Sequence, residues 1–194
     1  MRYDADQKKR THKQILAEAA TALRTKGPER MAVAEVMAKL GLTHGGFYAH
    51  FASKDDLVAQ AITSMFDQGS AQFQRLTEGL GPRQALQAYV DWYLSVAHRD
   101  TPGGGCPLPA VSGDLPRLPE AARLRYSEGV ERLAASIAKL LKKLGAKNSE
   151  ALALSAVSEL AGAMTLARAV ADSARSNQIL RNSREIVKAR LNLG

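Results

Sequence analysis

At 194 residues, with 45% hydrophobic and 5% aromatic side chains, the chain has the composition of a folded globular protein rather than a disordered one. Its single cysteine excludes an internal disulfide framework and any multi-cysteine zinc site. Lys and Arg exceed Asp and Glu by eight, and six of those excess charges lie in the first 56 and last 24 residues, which suits either a polyanion or a merely solvated surface.

The charged start, Met1–Arg10, lacks the apolar segment of a secretory signal. No uncharged apolar run approaches the roughly 18 residues that span a bilayer. The expected setting is therefore the cytoplasm, with no membrane partner.

Residues 6–26 place Ile15, Leu16, Ala19, Ala20 and Leu23 on one helical face, and Gly27-Pro28 is expected to end that helix. A short second helix follows with Val33, Val36, Met37 and Leu40, closed by Gly41. Thr43 is placed to cap a very short third helix through about Phe51. Ser53-x-x-Asp56 is a capping-box pattern for a fourth, whose buried stripe is Leu57, Ala61, Ile62, Met65 and Phe66. Pro82 opens a helix expected to reach His98. Arg99–Pro119 then carries five prolines and four glycines, a length of irregular chain that suits a functional segment. Long helices are expected again at about 119–144, 149–173 and 176–192. Strand patterns are nearly absent, so the fold class is all-α.

Residues 33–51 read as helix, glycine turn, short helix, the plan of a helix-turn-helix. Gly41-Leu42-Thr43 supplies the tight turn. Phe47 and Phe51 point inward, while His44, Gly45, Tyr48 and Ala49 point out. Gly45 and Gly46 together cost about 1 kcal/mol each in a helix interior. They serve either a close approach of the backbone to DNA or tight packing between helices.

Leu40–Leu57, LGLTHGGFYAHFASKDDL, resembles the N-terminal domain of the tetracycline-repressor (TetR) family. Gly41, Leu42, Thr43, Phe47, Tyr48, His50, Phe51 and Lys54 fill its pattern, and the similarity covers about residues 9–60. The resemblance implies a three-helix DNA-binding domain over 1–54 and a larger helical domain for ligand binding and dimerisation over 55–194. It implies that His44, Gly45 and Ala49 read bases while Thr43, Tyr48, His50 and Lys54 hold the backbone of double-stranded operator DNA. Donors of that kind fix position, and base edges carry the sequence. Arg2, Lys8, Lys9 and Arg10 are candidates for added contacts. The resemblance further implies a homodimer, a small-molecule effector, and repression as the commoner mode.

The residues of the second part support these roles less sharply. Ser155, Ala156, Ser158, Ala161, Gly162, Ala163 and Ala167 make a helix able to approach closely, either a partner subunit or its own neighbours; a charge at Ala163 is expected to split a dimer. Tyr89, Trp92, Tyr93 and Val96 lie along one helix and are expected to line a cavity with Met65, Phe66 and Tyr126. Cys106 follows three glycines and precedes Pro107. At a helix start its thiol would be acidified and open to electrophiles or oxidants; the alternative is a small buried apolar group. No phosphate loop, nucleophile elbow or HExxH zinc pattern is present, so neither catalysis nor a cofactor is expected.

Overall fold

The computed structural model describes residues 2–194, with side chains from Asp6 onward. The chain is all-α, and no strand occurs among the described residues. Its helices are α1 (Arg2–Arg30), α2 (Val33–Lys39), α3 (Lys54–Thr77), α4 (Pro82–Tyr93), α5 (Val96–Asp100), α6 (Leu108–Val111), α7 (Glu120–Lys143), α8 (Ser149–Ala169) and α9 (Ser173–Arg190). Short 3-10 segments occupy His44–Ala49, Pro102–Gly104 and Leu115–Arg117.

The apolar stripe of α1, Ile15, Ala19, Ala20 and Leu23, is fully buried against α3, which gives Leu57, Ala61, Ile62 and Met65 to the same core. Burying four or five such aliphatic side chains contributes about 1.5–3 kcal/mol each, before the cost of ordering them. From α3 the packing passes to α7, then α8, then α9, so the bundle is a chain of neighbouring helices with α4 bridging α3, α7 and α9. α1 also touches Pro102–Gly104 and α6, which brings the first helix against the irregular segment.

Four boundaries differ from expectation. Gly27 does break α1, at φ 77° and ψ 168°, but one more turn follows through Arg30. Proline at the start of a new turn loses no hydrogen bond, so Pro28 begins it rather than ending the helix. The helix from Pro82 stops at Tyr93, because Ser95 caps a separate α5 through the amide of His98. The helix from Ser149 stops at Ala169 rather than 173. Asp172 then starts α9 by accepting from the amide of Arg175, three residues earlier than the sequence pattern suggested.

α8 is long and apolar enough, by length and composition, to cross a membrane. In this structure Ala153, Ala156, Val157, Leu160, Ala163, Met164 and Ala167 are its buried face, packed between α7 and α9. Ala163 therefore points into its own subunit, correcting the expectation that it faces a partner. On α7, Gly129 lies under the ring of Phe66; a Cβ there would sit 2.2–2.4 Å from ring carbons. That missing side chain is what lets α3 and α7 meet at this level.

Candidate nucleic-acid interface and effector pocket

The turn forms because Gly41 takes φ 69°, a left-handed conformation that glycine adopts freely, while the amides of Leu40, Gly41 and Leu42 close the end of α2. Thr43 then caps His44–Ala49, its hydroxyl accepting from the amide of Gly46 at 3.3 Å. The expected very short helix is of the 3-10 type and ends at Ala49. Phe47 and Phe51 anchor it, both buried, their rings stacked 5.5 Å apart. His12 of α1 stacks on Phe51 at 4.5 Å. With the aromatic side facing in, His44, Gly45, Tyr48 and Ala49 face out; Tyr48 is 65% exposed although it is a large aromatic.

The two glycines differ. A Cβ on Gly46 would touch Thr43 and Met37, so Gly46 faces the packing side. A Cβ on Gly45 would meet nothing within 4 Å, so its backbone lies open to an incoming surface. His50 is half-buried, its Nδ1 buried without a hydrogen bond. Burial first, then His12 and Lys8, holds its imidazole below the ordinary histidine range, so near neutral pH it acts as a neutral donor or acceptor.

Lys54 opens α3 and donates to the carbonyl of Glu29 at 3.3 Å. Ser53 accepts from the amide of Asp56, and Asp56 accepts from the amide of Ala52 in return. This reciprocal cap fixes the start of α3 beside the turn. Lys26 and Lys39 are committed elsewhere, pairing with Glu35 and Glu18 to brace α1 against α2. Lys8, Lys9, Arg10 and Lys13 are exposed along the first turns of α1; the side chain of Arg2 lies outside the described residues.

A second feature lies in the remainder of the chain. A cavity of about 240 Å³ opens between α3, α4, α7 and the segment Gly104–Pro107, walled by Phe66, Tyr89, Trp92, Leu133 and Cys106. Of the residues expected to line it, Phe66, Tyr89, Trp92 and Cys106 do so. Tyr126 stands behind, edge-on to Phe66 at 5.6 Å. Met65 and Tyr93 are fully buried in the core, and Val96 is exposed on α5, away from the lining. A wider open groove of about 620 Å³ lies between α7 and α8, floored by alanines and edged by Lys139, Lys142 and Leu154.

Below the cavity is a buried polar cluster that the sequence reading missed. His98 receives the amide of Cys106 on Nε2 at 3.1 Å and donates from Nδ1 to the carbonyl of Tyr93 at 2.7 Å. Trp92 stacks on its ring at 4.5 Å. Arg168 donates to the carbonyls of His98 and Arg99, and Arg24 of α1 donates to those of Gly103 and Met65. A signal for Arg24 was present: a charge four residues after Ala20, on the edge of an apolar stripe. Of the two readings of Cys106, the structure fits the small buried apolar group and not the acidified thiol. Cys106 is buried and precedes only the four-residue α6, and burial pushes its thiol up, outweighing Tyr93, the Leu108 amide and the two arginines. Gly105 is confined too: a Cβ there would stand 2.9 Å from His98 Nε2.

Comparison with known proteins settles what this arrangement is. Residues 15–61 match the bacterial regulatory proteins of the tetR family, and residues 82–184, more than half of the chain, match the C-terminal domain of LmrA/YxaF-like transcriptional regulators. The chain belongs to the TetR family. Regulators of this family bind operator DNA through the helix-turn-helix, dimerise, bind small-molecule effectors in the C-terminal domain, and are not enzymes.

The TetR fold is equally clear in three dimensions. The reduced form of Escherichia coli NemR matches with a TM-score of 0.80 at 19% identity, covering 92% of this chain and 95% of that one. A TetR regulator from Chloroflexus aurantiacus matches at 0.81 and 21%, covering 96% of each. One from Agrobacterium tumefaciens matches at 0.77 and 23%, covering 92% and 97%. At these identities the likeness is one of fold. No curated protein matches the chain in sequence.

Proposed function

We propose that this TetR-family regulator is a repressor that binds a palindromic operator as a homodimer and is released by a compound entering the cavity at Trp92. The observation that carries the reading is the outward face of residues 43–49, held rigid by two buried phenylalanines and left open at Gly45. His44, Gly45 and Ala49 then meet base edges. Thr43, Tyr48, His50 and Lys54 position the DNA backbone. The boundary between the two functional parts falls at residues 54 and 55, where α3 begins. The protein acts where its operator is, in the cytoplasm.

Dimerisation is assigned to the outward stripe of α8, Leu154, Ser155, Ser158, Gly162 and Leu166, with Ile186 of α9, all exposed in the single subunit. The effector site is the cavity lined by Phe66, Tyr89, Trp92 and Cys106, with Met65, Tyr93 and Tyr126 as the layer behind. A thiol-reactive compound is a second effector class. It would have to reach Cys106 from the cavity, and because that thiol is buried within the subunit the product is an adduct or a sulfenic acid there.

The test is operator selection from a random duplex pool, followed by affinity measurements over a salt series. A dimer on a two-fold symmetric site, with affinity falling steeply as salt rises, supports the reading. An affinity independent of salt and sequence rejects it.

A further inference from the structure

Three properties of the cavity bear on what enters it. The first is shape: Phe66, Tyr89 and Trp92 present aromatic surface to one space, and its volume of about 240 Å³ is below the roughly 300–1,000 Å³ of drug-sized sites. A single ring with small substituents fits; a polycyclic compound does not.

The second is charge at the mouth. Arg75 of α3 borders the opening, its guanidinium bonded to Gln72. Among the described residues it has no acidic partner within ion-pair distance, and no Asp or Glu lines the cavity.

The third is charge behind the wall. Arg24 is 6% exposed, its two terminal nitrogens serve backbone carbonyls, and its Nε is buried without a partner. Arg168 is likewise held by carbonyls, and Asp100, the carboxylate beside it, is ion-paired with Arg99. Arg24 bonds Gly103, next to the lining Gly104, and Arg168 Nη2 stands 3.1 Å from where a Cβ on the lining Gly105 would be, so both charges sit directly behind the wall. A buried cation without a counter-ion favours an anion nearby, and a low-dielectric site strengthens that attraction.

We propose that the cavity takes a small aromatic acid, its single ring against Phe66, Tyr89 and Trp92 and its carboxylate on the guanidinium of Arg75. The assignment rests on the reading of this cavity as the effector site and names the class of effector. Three guanidiniums and no lining carboxylate set the sign of the ligand; three rings set its shape. The neutral counterpart of such an acid gains the ring contacts alone and binds more weakly. A cationic ligand such as benzylammonium is repelled.

Trp92 is the only tryptophan in the chain and stands in the cavity wall, so its emission reports occupancy directly. The probes are benzoate and salicylate against benzamide and salicylamide, titrated near neutral pH into the full-length protein. The acids should bind about tenfold or more tightly than the amides, a difference that corresponds to about 1.4 kcal/mol. Arg75→Gln should bring the acids down to the amides, while Arg75→Lys should keep a preference for acids. Thermal melts of both variants establish that they fold.

Equal binding of acids and amides by the wild type overturns the proposal, as does no binding by either acid, or an acid preference that survives in Arg75→Gln. Failure of the underlying reading looks different: benzoate then changes Trp92 emission with the expected preference but leaves operator affinity unchanged.

Discussion

Arg24 of α1 donates to the carbonyl of Gly103 at 3.2 Å, joining the first helix to the segment that walls the cavity at Trp92. The contact is close on both sides. Gly103 rests against Thr21, three residues before the arginine, and Thr25, the residue after it; a Cβ there would meet them at 3.4 and 3.6 Å. The second bond of the guanidinium, to Met65, ties α3 into the same junction. A compound that displaces Gly104–Pro107 therefore acts on α1 and α3 together.

Arg24→Met tests that junction. Burial draws this guanidinium down to about 10, so it is still charged at neutral pH. Replacing a buried, carbonyl-bound charge with an apolar side chain of similar length removes the desolvation cost along with the bonds, so the melting temperature should move by only a few degrees. Amide hydrogen exchange should nevertheless rise together in residues 21–31 and 101–107. Unchanged exchange in 101–107 would show that the contact holds nothing in place.

At the DNA face, Tyr48→Ala and Lys54→Ala remove exposed groups and should leave stability within about 0.5 kcal/mol of wild type. Lys54→Ala should weaken all operators alike and flatten the log-affinity against log-salt slope by about one unit. His44→Ala should instead alter the ranking of sequences recovered by selection. A uniform loss for His44→Ala would move it from base reading to backbone positioning.

The helix-turn-helix was readable in the sequence because each of its constraints is local: Gly41 for a left-handed turn, Thr43 and Ser53 for caps, Phe47 and Phe51 for the inward face. Part of the cavity wall was readable as well, since Tyr89 and Trp92 share a helical face pointing toward Phe66, but Gln68 to Arg75, Gly104, Gly105, Pro107 and Leu133 were not. The rest depends on contacts between distant segments. Nothing near Cys106 in the chain reveals that His98 and Arg168 draw it inward. α8 is apolar on several faces, so helical periodicity alone does not separate its core side from its outer side, and Ala163 was assigned outward when it is 6% exposed. Tyr93 follows Trp92 by one residue and so turns into the core.

That correction relocates the dimer experiment. Gly162→Glu places a charge on the outer stripe of α8, where a side chain meets nothing within 4 Å in the subunit. It should yield folded monomers by sedimentation, with operator affinity reduced. Ala163→Glu should instead lower the melting temperature, because it buries an unpaired carboxylate. A Gly162→Glu protein that remains dimeric would place the subunit interface elsewhere.

His98 predicts the response to acid. Burial holds its imidazole down at about 4, against an ordinary value near 6.5. A histidine whose pKa is depressed on folding stabilises the protein fully above the unfolded value and loses that contribution as pH falls toward the folded one. Between about pH 6.5 and 4 the stability should therefore decline, by on the order of 3 kcal/mol at most from this residue. Protonation would also end the acceptance of the Cys106 amide by Nε2. Denaturant melts of wild type and His98→Gln across this range check it: the variant should show a shallower pH dependence, and equal slopes would remove His98 as the source.

The bare backbone at Gly129 gives the cavity an adjustable depth. The ring of Phe66 occupies the space a side chain at position 129 of α7 would otherwise fill, so at this level the limit of the cavity is set by Phe66 on α3, while Leu133 supplies the α7 wall one turn on. Trimming position 66 to leucine or valine would lengthen the chamber toward α7 while every helix kept its place, admitting a longer compound at the cost of some core packing. Adding bulk at 129 could not do the reverse, since even a methyl group collides with the ring. At this level the cavity can therefore be enlarged through Phe66 but not narrowed through position 129.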